Sequence, residues 1–249
     1  MKKKNWLFFP ILFVVGIALF SCNFGNNGNV SSYTNMPAVV TNDGMGGIVL
    51  ATVSGYIPAP SLTDVMPGDC LYLQQFTVNY DISPVVASDI VKMNVNQSPL
   101  EMRSDSVIAG NYTLPISNVT INSYYISPYY QGKIFLGVTC LDANPALRLV
   151  YNSKDTLVNG AMNLYLLAQP SSATPNASSY TTLYAFDLSN LIMGVAGRDT
   201  TVIGSGTSGS INYRYITANI KYLSAISPDS ITPVYTGVTQ NPYLVSIFQ

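Results

Sequence analysis

Two rhythms of apolar residues run along this chain. From Trp6 to Phe20 almost every residue is apolar, in one block. Further on the blocks give way to alternation. Leu71 and Leu73 share one parity, and Phe76, Val78 and Tyr80 continue on the other; Ile134, Leu136, Val138 and Cys140 keep a single parity. A period of two marks strands with one buried face, because successive side chains on a strand point to opposite sides. The pattern predicts strands over Ile48–Ser54, Cys70–Tyr80 and Asp89–Val95. It then predicts Thr120–Ile126, Lys133–Leu141, Leu147–Tyr151, Met162–Ala168, Thr181–Asp187 and Ile211–Leu223, with Ile231–Thr236 and Tyr243–Phe248 completing or edging the sheets.

Turn signals separate these runs: Met66-Pro67-Gly68-Asp69, Ser127-Pro128, Asp142–Pro145, Pro170–Ser179 and Gly204–Ser210. The change of parity at Gln74-Gln75 predicts a β-bulge, a device that bends a strand around a small barrel. Short bent strands in the first half suit an OB-type barrel over residues 41–115, and the longer, regular strands beyond suit an antiparallel β-sandwich over 116–249. Gly110–Ser117 reads as the connector, and residues 98–105 as a polar stretch. The predicted class is all-β. Composition agrees, since Val, Ile, Thr and Tyr abound while Glu101 is the only glutamate.

The apolar block has a different meaning. Lys2, Lys3 and Lys4 precede it and Leu19-Phe20-Ser21-Cys22 closes it, which is the layout of a secretory signal over residues 1–21. A membrane span needs about 20 apolar residues; this run is shorter, contains Pro10, and is followed by asparagines rather than a charge cluster. Its last four residues resemble the lipobox of bacterial lipoproteins. That resemblance implies lipidation of Cys22 and two or more acyl chains, enough for stable anchoring at about 0.8 kcal/mol per buried methylene. The Asn-, Gly- and Ser-rich residues 22–40 read as a flexible tether.

Charge and cysteine narrow the partners. Removing the leader leaves eight basic side chains against 12 acidic ones, a net charge of −4. No basic patch marks a nucleic-acid footprint. Cys70 and Cys140 would lie outside the reducing cytosol; a disulfide and two buried free thiols are both compatible with the sequence.

The chain contains no histidine, which removes Ser-His-Asp and Cys-His machinery and histidine-held metals. No nucleophile elbow or Ser-x-x-Lys dyad occurs, and nothing pairs Glu101 with an aspartate for glycosidase chemistry. The sequence points away from an enzyme, and no cofactor or metal is implied. Gly204, Gly206 and Gly209 spell a dinucleotide fingerprint, but Ile211, Tyr213 and Tyr215 follow at strand spacing, so a hairpin loop is expected. Asp142-Ala143-Asn144 is a fragment of a calcium loop without its glycine or distal glutamate.

The aromatic cluster at Tyr124, Tyr125, Tyr129 and Tyr130 offers candidate contacts to a glycan or a protein partner, with ordinary cross-strand packing as the competing explanation.

The Gly68–Leu73 turn and strand running into Phe76–Tyr80, the segment Lys133–Val138, and Tyr184-Ala185-Phe186-Asp187-Leu188-Ser189-Asn190-Leu191 together resemble the NigD-like lipoproteins of gut-dwelling Gram-negative anaerobes. The resemblance implies an N-terminal OB-like domain, a C-terminal β-sandwich and a place at the outer membrane, on the periplasmic face or the cell surface. It carries over no activity and no site residues. The acidic run often found after the lipid cysteine is replaced here by asparagines. Asp-Ser/Thr triplets at Ser106, Thr156, Thr200 and Ser230 resemble O-glycosylation sequons of that bacterial group; Asp-Ser and Asp-Thr also simply favour turns. The expectation is a membrane-anchored, non-catalytic binding or assembly module with an envelope protein as partner, or a carbohydrate-binding accessory lipoprotein.

Overall fold

The computed structural model describes residues 29–103, 113–121, 128–155, 160–171, 178–194, 197–203, 210–227, 232–238 and 243–248. It divides into two units at Val95/Asn96.

The first unit is one curled sheet of five strands: β1 (Val30–Asn42), β2 (Ile48–Thr52), β3 (Gly55–Pro58), β4 (Cys70–Asn79) and β5 (Ala87–Asn94). Their spatial order is β3-β2-β1-β4-β5, all antiparallel, which is the order of an OB-type barrel opened between β3 and β5. The parity change at Gln74-Gln75 is the expected bulge: register along β5 shifts between Leu73 and Gln75 and again before Thr77. Burial passes from Leu71 and Leu73 to Phe76 and Val78 across it. Strand β1 changes face at the same level, with Asn35 at φ 56 opposite Gln74, so the β1/β4 ladder stays in register while both strands turn over. Asparagine tolerates that left-handed backbone where most residues would not. Phe76, with Tyr33 stacked on it at 4.9 Å, fills the core together with Leu50, Ile57, Leu71 and Val78.

Two sequence expectations are corrected here. The tether over residues 22–40 does not extend past Asn29, because Val30–Asn42 is strand β1, held between β2 and β4. Its first half is polar and half-exposed; what makes it a strand is its backbone ladder to β4. The domain boundary is also not at 115/116. The supposed polar stretch after residue 95 is strand β6 (Asn96–Arg103), which pairs only with strands of the second unit.

That unit holds β6, β7 (Ile116–Ile121), β8 (Lys133–Cys140), β9 (Ala146–Asn152), β10 (Met162–Gln169), β11 (Tyr180–Asp187), a five-residue helix α1 (Ser189–Met193), β12 (Arg198–Ile203), β13 (Ser210–Ile226), β14 (Pro233–Gly237) and β15 (Tyr243–Phe248). It is a β-sandwich built from a continuous ladder. One layer runs β7-β8-β11 and the other β9-β10-β13, with β12, β14 and β15 on β13. Strand β6 joins them: Asn96–Pro99 pairs with β11, and Leu100–Arg103 with β9. A strand that bends from one sheet to the other makes the corner of such a sandwich. The hairpin-type neighbours are antiparallel as expected, but β6 is parallel to both its partners and β10 is parallel to β13, so the sandwich is mixed. Leu136, Leu149, Leu164, Leu166, Phe186 and Ile220 fill the space between the layers.

Candidate functional site

The segment Tyr184–Leu191 shows what its residues are for. Phe186 is fully buried and Tyr184 nearly so, its hydroxyl donating to Pro145 O at 2.8 Å. Asp187 ends β11 opposite Lys133 at the start of β8, and Lys133 Nζ lies 2.9 Å from Asp187 Oδ2. Its other oxygen accepts from the Ser189 backbone N–H at 2.9 Å, which turns the chain into α1. Ser189 Oγ in turn donates to Gln131 O at 2.9 Å, and Leu188 N to Gly132 O at 3.0 Å. Gly132 donates to Ser246 O in β15. Burial pushes the Asp187 carboxyl up, but the Ser189 hydrogen bonds and the Lys133 ammonium outweigh it and hold it below its ordinary range.

Beside this junction lies a depression of about 210 Å³ lined by Gln97, Ser98, Pro99, Lys133 and Asp187. It sits where β6 leaves β11 for β9. It is smaller than the roughly 300–1,000 Å³ usual for a ligand pocket, and its charged wall is already an ion pair. The chemistry on offer is hydrogen bonding to a small polar group.

The outer face of the β9-β10-β13 layer carries a second feature. Tyr165 and Tyr235 meet edge to face at 5.0 Å, Lys221 Nζ stands 5.7 Å from the Tyr165 ring centre, and Tyr165 Oη donates to Asp155 Oδ2 at 2.6 Å. Burial, then the Asp155 carboxylate, pushes the Tyr165 hydroxyl above its ordinary value. The pair covers a small apolar cluster of Val150, Leu167 and Leu223. The alternation Met162, Leu164, Leu166, Ala168 puts Tyr165 on the face away from the core, so the position was visible in the sequence; its partner Tyr235, 70 residues away, was not.

The aromatic residues singled out in the sequence separate. Tyr130 is 3% exposed and packs against Phe135 with ring centres 5.3 Å apart, so it is core and offers no contact surface. It and half-buried Tyr129 lie in a 3₁₀ turn, Pro128–Tyr130. Tyr124 and Tyr125 lie outside the described residues, as do Cys22, Ser106, Thr156 and Ser230. Thr200 is in β12, its backbone opposite Tyr213, and its neighbour Asp199 is 2.8 Å from Arg214.

The remaining sequence candidates have structural roles. Asp142 is buried and accepts from Ser171 N at 2.6 Å, Ser171 Oγ at 2.8 Å and Asn144 N at 2.9 Å, tying the β8–β9 turn to the end of β10. Glu101 sits between Arg103 at 2.6 Å and Arg148 at 3.1 Å; burial raises its carboxyl, and the two guanidinium groups more than offset that. The glycines at 204–209 lie outside the described residues, but Ile203 pairs with Ser210 in an antiparallel hairpin and a strand follows, which is the wrong frame for a dinucleotide loop. Cys70 and Cys140 are both buried and form no disulfide among the described residues.

No family model matches this chain, and no curated protein resembles it in sequence. Solved structures do. An uncharacterised protein from Parabacteroides merdae ATCC 43184 superposes with a TM-score of 0.61 at 15% identity, over 87% of this chain and 99% of that one. A provisionally assigned lipoprotein from Bacteroides fragilis NCTC 9343 gives 0.50 at 14% identity, over 84% and 97%. A NigD-like immunity protein from Bacteroides caccae ATCC 43185 gives 0.49 at 13% identity, over 88% and 98%. The two-unit all-β fold of this chain is thus one found among Bacteroidales proteins, a provisionally assigned lipoprotein included.

Proposed function

We propose that this protein is a lipid-anchored envelope lipoprotein of the NigD-like kind, working as a non-catalytic binding or assembly module. The anchor rests on the leader and on Leu19-Phe20-Ser21-Cys22, and the fold it shares with the Bacteroides fragilis protein supports the same assignment. One observation carries the non-catalytic part. Every acidic side chain among the described residues accepts a hydrogen bond within its own unit: Asp43, Asp64, Asp69, Asp81 and Asp89 in the first, Glu101, Asp142, Asp155, Asp187 and Asp199 in the second. General acid–base chemistry needs a carboxyl poised for a substrate proton, and these are held by amides, hydroxyls and cations of the fold. Recognition then falls to the hydroxyl, amide, aromatic and basic side chains of the surface.

The test is crosslinking of the native lipoprotein in intact cells, with captured species identified by mass spectrometry. A dominant protein crosslinked to the native form, and lost when Cys22→Ala releases the chain from the membrane, is the expected outcome. Turnover of a substrate panel by the purified protein would overturn the reading. The Tyr165–Tyr235 pair supports the carbohydrate alternative, and binding on a glycan array that is lost in Tyr235→Ala would favour it over a protein partner.

A further inference from the structure

The fold begins much nearer the anchor than the polar composition of residues 22–40 implies. Asn29 is already pinned: its backbone N–H donates to Asp81 Oδ2 at 3.0 Å, its side-chain amide to Asp81 Oδ1 at 2.6 Å, and its carbonyl accepts from Tyr80 N at 2.9 Å. One turn inward, Tyr33 and Tyr80 share a hydroxyl hydrogen bond of 2.7 Å. Only residues 23–28 separate Cys22 from this clamp. Fully extended, that stretch reaches about 25 Å, less than the thickness of a bilayer's hydrocarbon core.

The surface around the clamp fits the neighbour such a leash imposes. The β4–β5 turn, residues 80–86, is exposed from Asp81 to Pro84; Ile82 is 49% exposed, and Val30, paired with Asn79, is 46% exposed. The turn's one charge is the Asp81 carboxylate, which accepts both Asn29 hydrogen bonds. The single basic residue among the described residues of this unit, Lys92, is paired with Asp64 at 3.0 Å, against five aspartates, so anionic lipid would not attract the face. We infer that the Asn29–Val30 end of β1 and the Asp81–Pro84 turn form a membrane-facing surface, apposed at headgroup level to the bilayer that holds the anchor. This deepens the lipid-anchor reading and rests on it. The opposite end of β1, the Asp43–Gly47 hairpin with Met45 75% exposed, then points outward, up to roughly 40 Å away along a thirteen-residue strand.

The test uses the purified, lipidated full chain in phosphatidylcholine vesicles containing a headgroup-nitroxide lipid. Ile82→Cys and Met45→Cys are each labelled with a thiol-reactive fluorophore; buried Cys70 and Cys140 are native in both, and unsubstituted lipoprotein sets the background. The label at residue 82 should be quenched at least twofold more than the one at residue 45. Equal quenching on protein that floats with the vesicles overturns the surface but keeps the anchor. Failure to float, with an intact mass lacking lipid, overturns the anchor and the surface with it. Inserting about twelve Gly/Ser residues after Asn27 should abolish the difference; a difference that survives would show that the short leash does not set the orientation.

Discussion

Gly132 is the point at which the Tyr184–Leu191 junction should fail under the smallest change. Its φ is +81°, and a Cβ built there would lie 2.9 Å from Ser189 Oγ and 3.2 Å from both Ile192 Cδ1 and Ser189 Cα. Gly132→Ala therefore adds two costs. Left-handed backbone without glycine costs about 1–2 kcal/mol, and crowding against a packed neighbour about 1–3 kcal/mol more. Ser189 Oγ could swing away only by giving up its bond to Gln131 O, worth about 1 kcal/mol; Ser189 Cα is backbone and cannot move alone. The loss should be about 3 kcal/mol. With a urea m-value of about 2–3 kcal/mol/M, the midpoint of the sandwich transition falls by about 1–1.5 M. The assay is urea unfolding of the Cys22→Ala soluble form followed by circular dichroism, with calorimetry to separate the two units. Ser189→Ala removes the closest clash, so the double variant should lose less than the two single losses combined, by about 1 kcal/mol. A loss within about 0.5 kcal/mol of zero for Gly132→Ala, or strict additivity with Ser189→Ala, would refute the tight junction. Gln131→Gly, at φ 54, is the control and should not destabilise.

Other consequences follow from the same contacts. Deleting Gln74 should unfold the first unit, since it would put Phe76 and Val78 on the wrong face, whereas Gln74→Ala should stay within about 0.5 kcal/mol of wild type by thermal melting. Tyr130→Ala should cost about 3 kcal/mol of sandwich stability, as for other buried aromatics, and a loss of binding with unchanged stability would contradict its place against Phe135. Asp187, ordinarily at 3.8, is held lower in the fold, so its stabilising contribution is complete above that value and disappears as pH falls below it; Asp187→Asn should flatten the acid limb of a stability–pH curve. Alkylation of the denatured, unreduced Cys22→Ala form should modify both Cys70 and Cys140, and their failure to react would mean a bridge.

How much could be read in advance followed from how each strand is specified. Strands β4, β8 and β10 were legible from apolar residues at every second position, although β8 and β10 are buried on both faces over most of their length, and even the bulge at Gln74 was written as a change of parity. Strands β1 and β6 were not legible. The first half of β1 is Ser, Thr and Asn with partial burial, so its strand character comes from the ladder to β4, whose partners lie about forty residues later. Strand β6 carries Pro99 and little alternation because its two halves serve two different sheets, and its partners on β9 and β11 lie 49 and 88 residues further on. A five-residue helix such as α1 is too short to show a period.

The site was harder to read than the fold for a related reason. Only 9% of the chain is charged, and several of its aspartates are taken up in capping turns, so Ser, Thr, Asn and Tyr supply most of its polar side chains. These are also the residues with which a binding surface would recognise a glycan or a protein. Tyr130 and Tyr165 illustrate the ambiguity: both are tyrosines in apolar surroundings, yet one is buried against Phe135 while the other lies half-buried beside Lys221. Composition cannot separate those roles, because the same ring and hydroxyl serve both. Only the layer to which each strand belongs does so, and that layer is set by pairings tens of residues apart. The surface to search for a partner is therefore the outer face of β10, β13 and β14, where Tyr165 and Tyr235 meet.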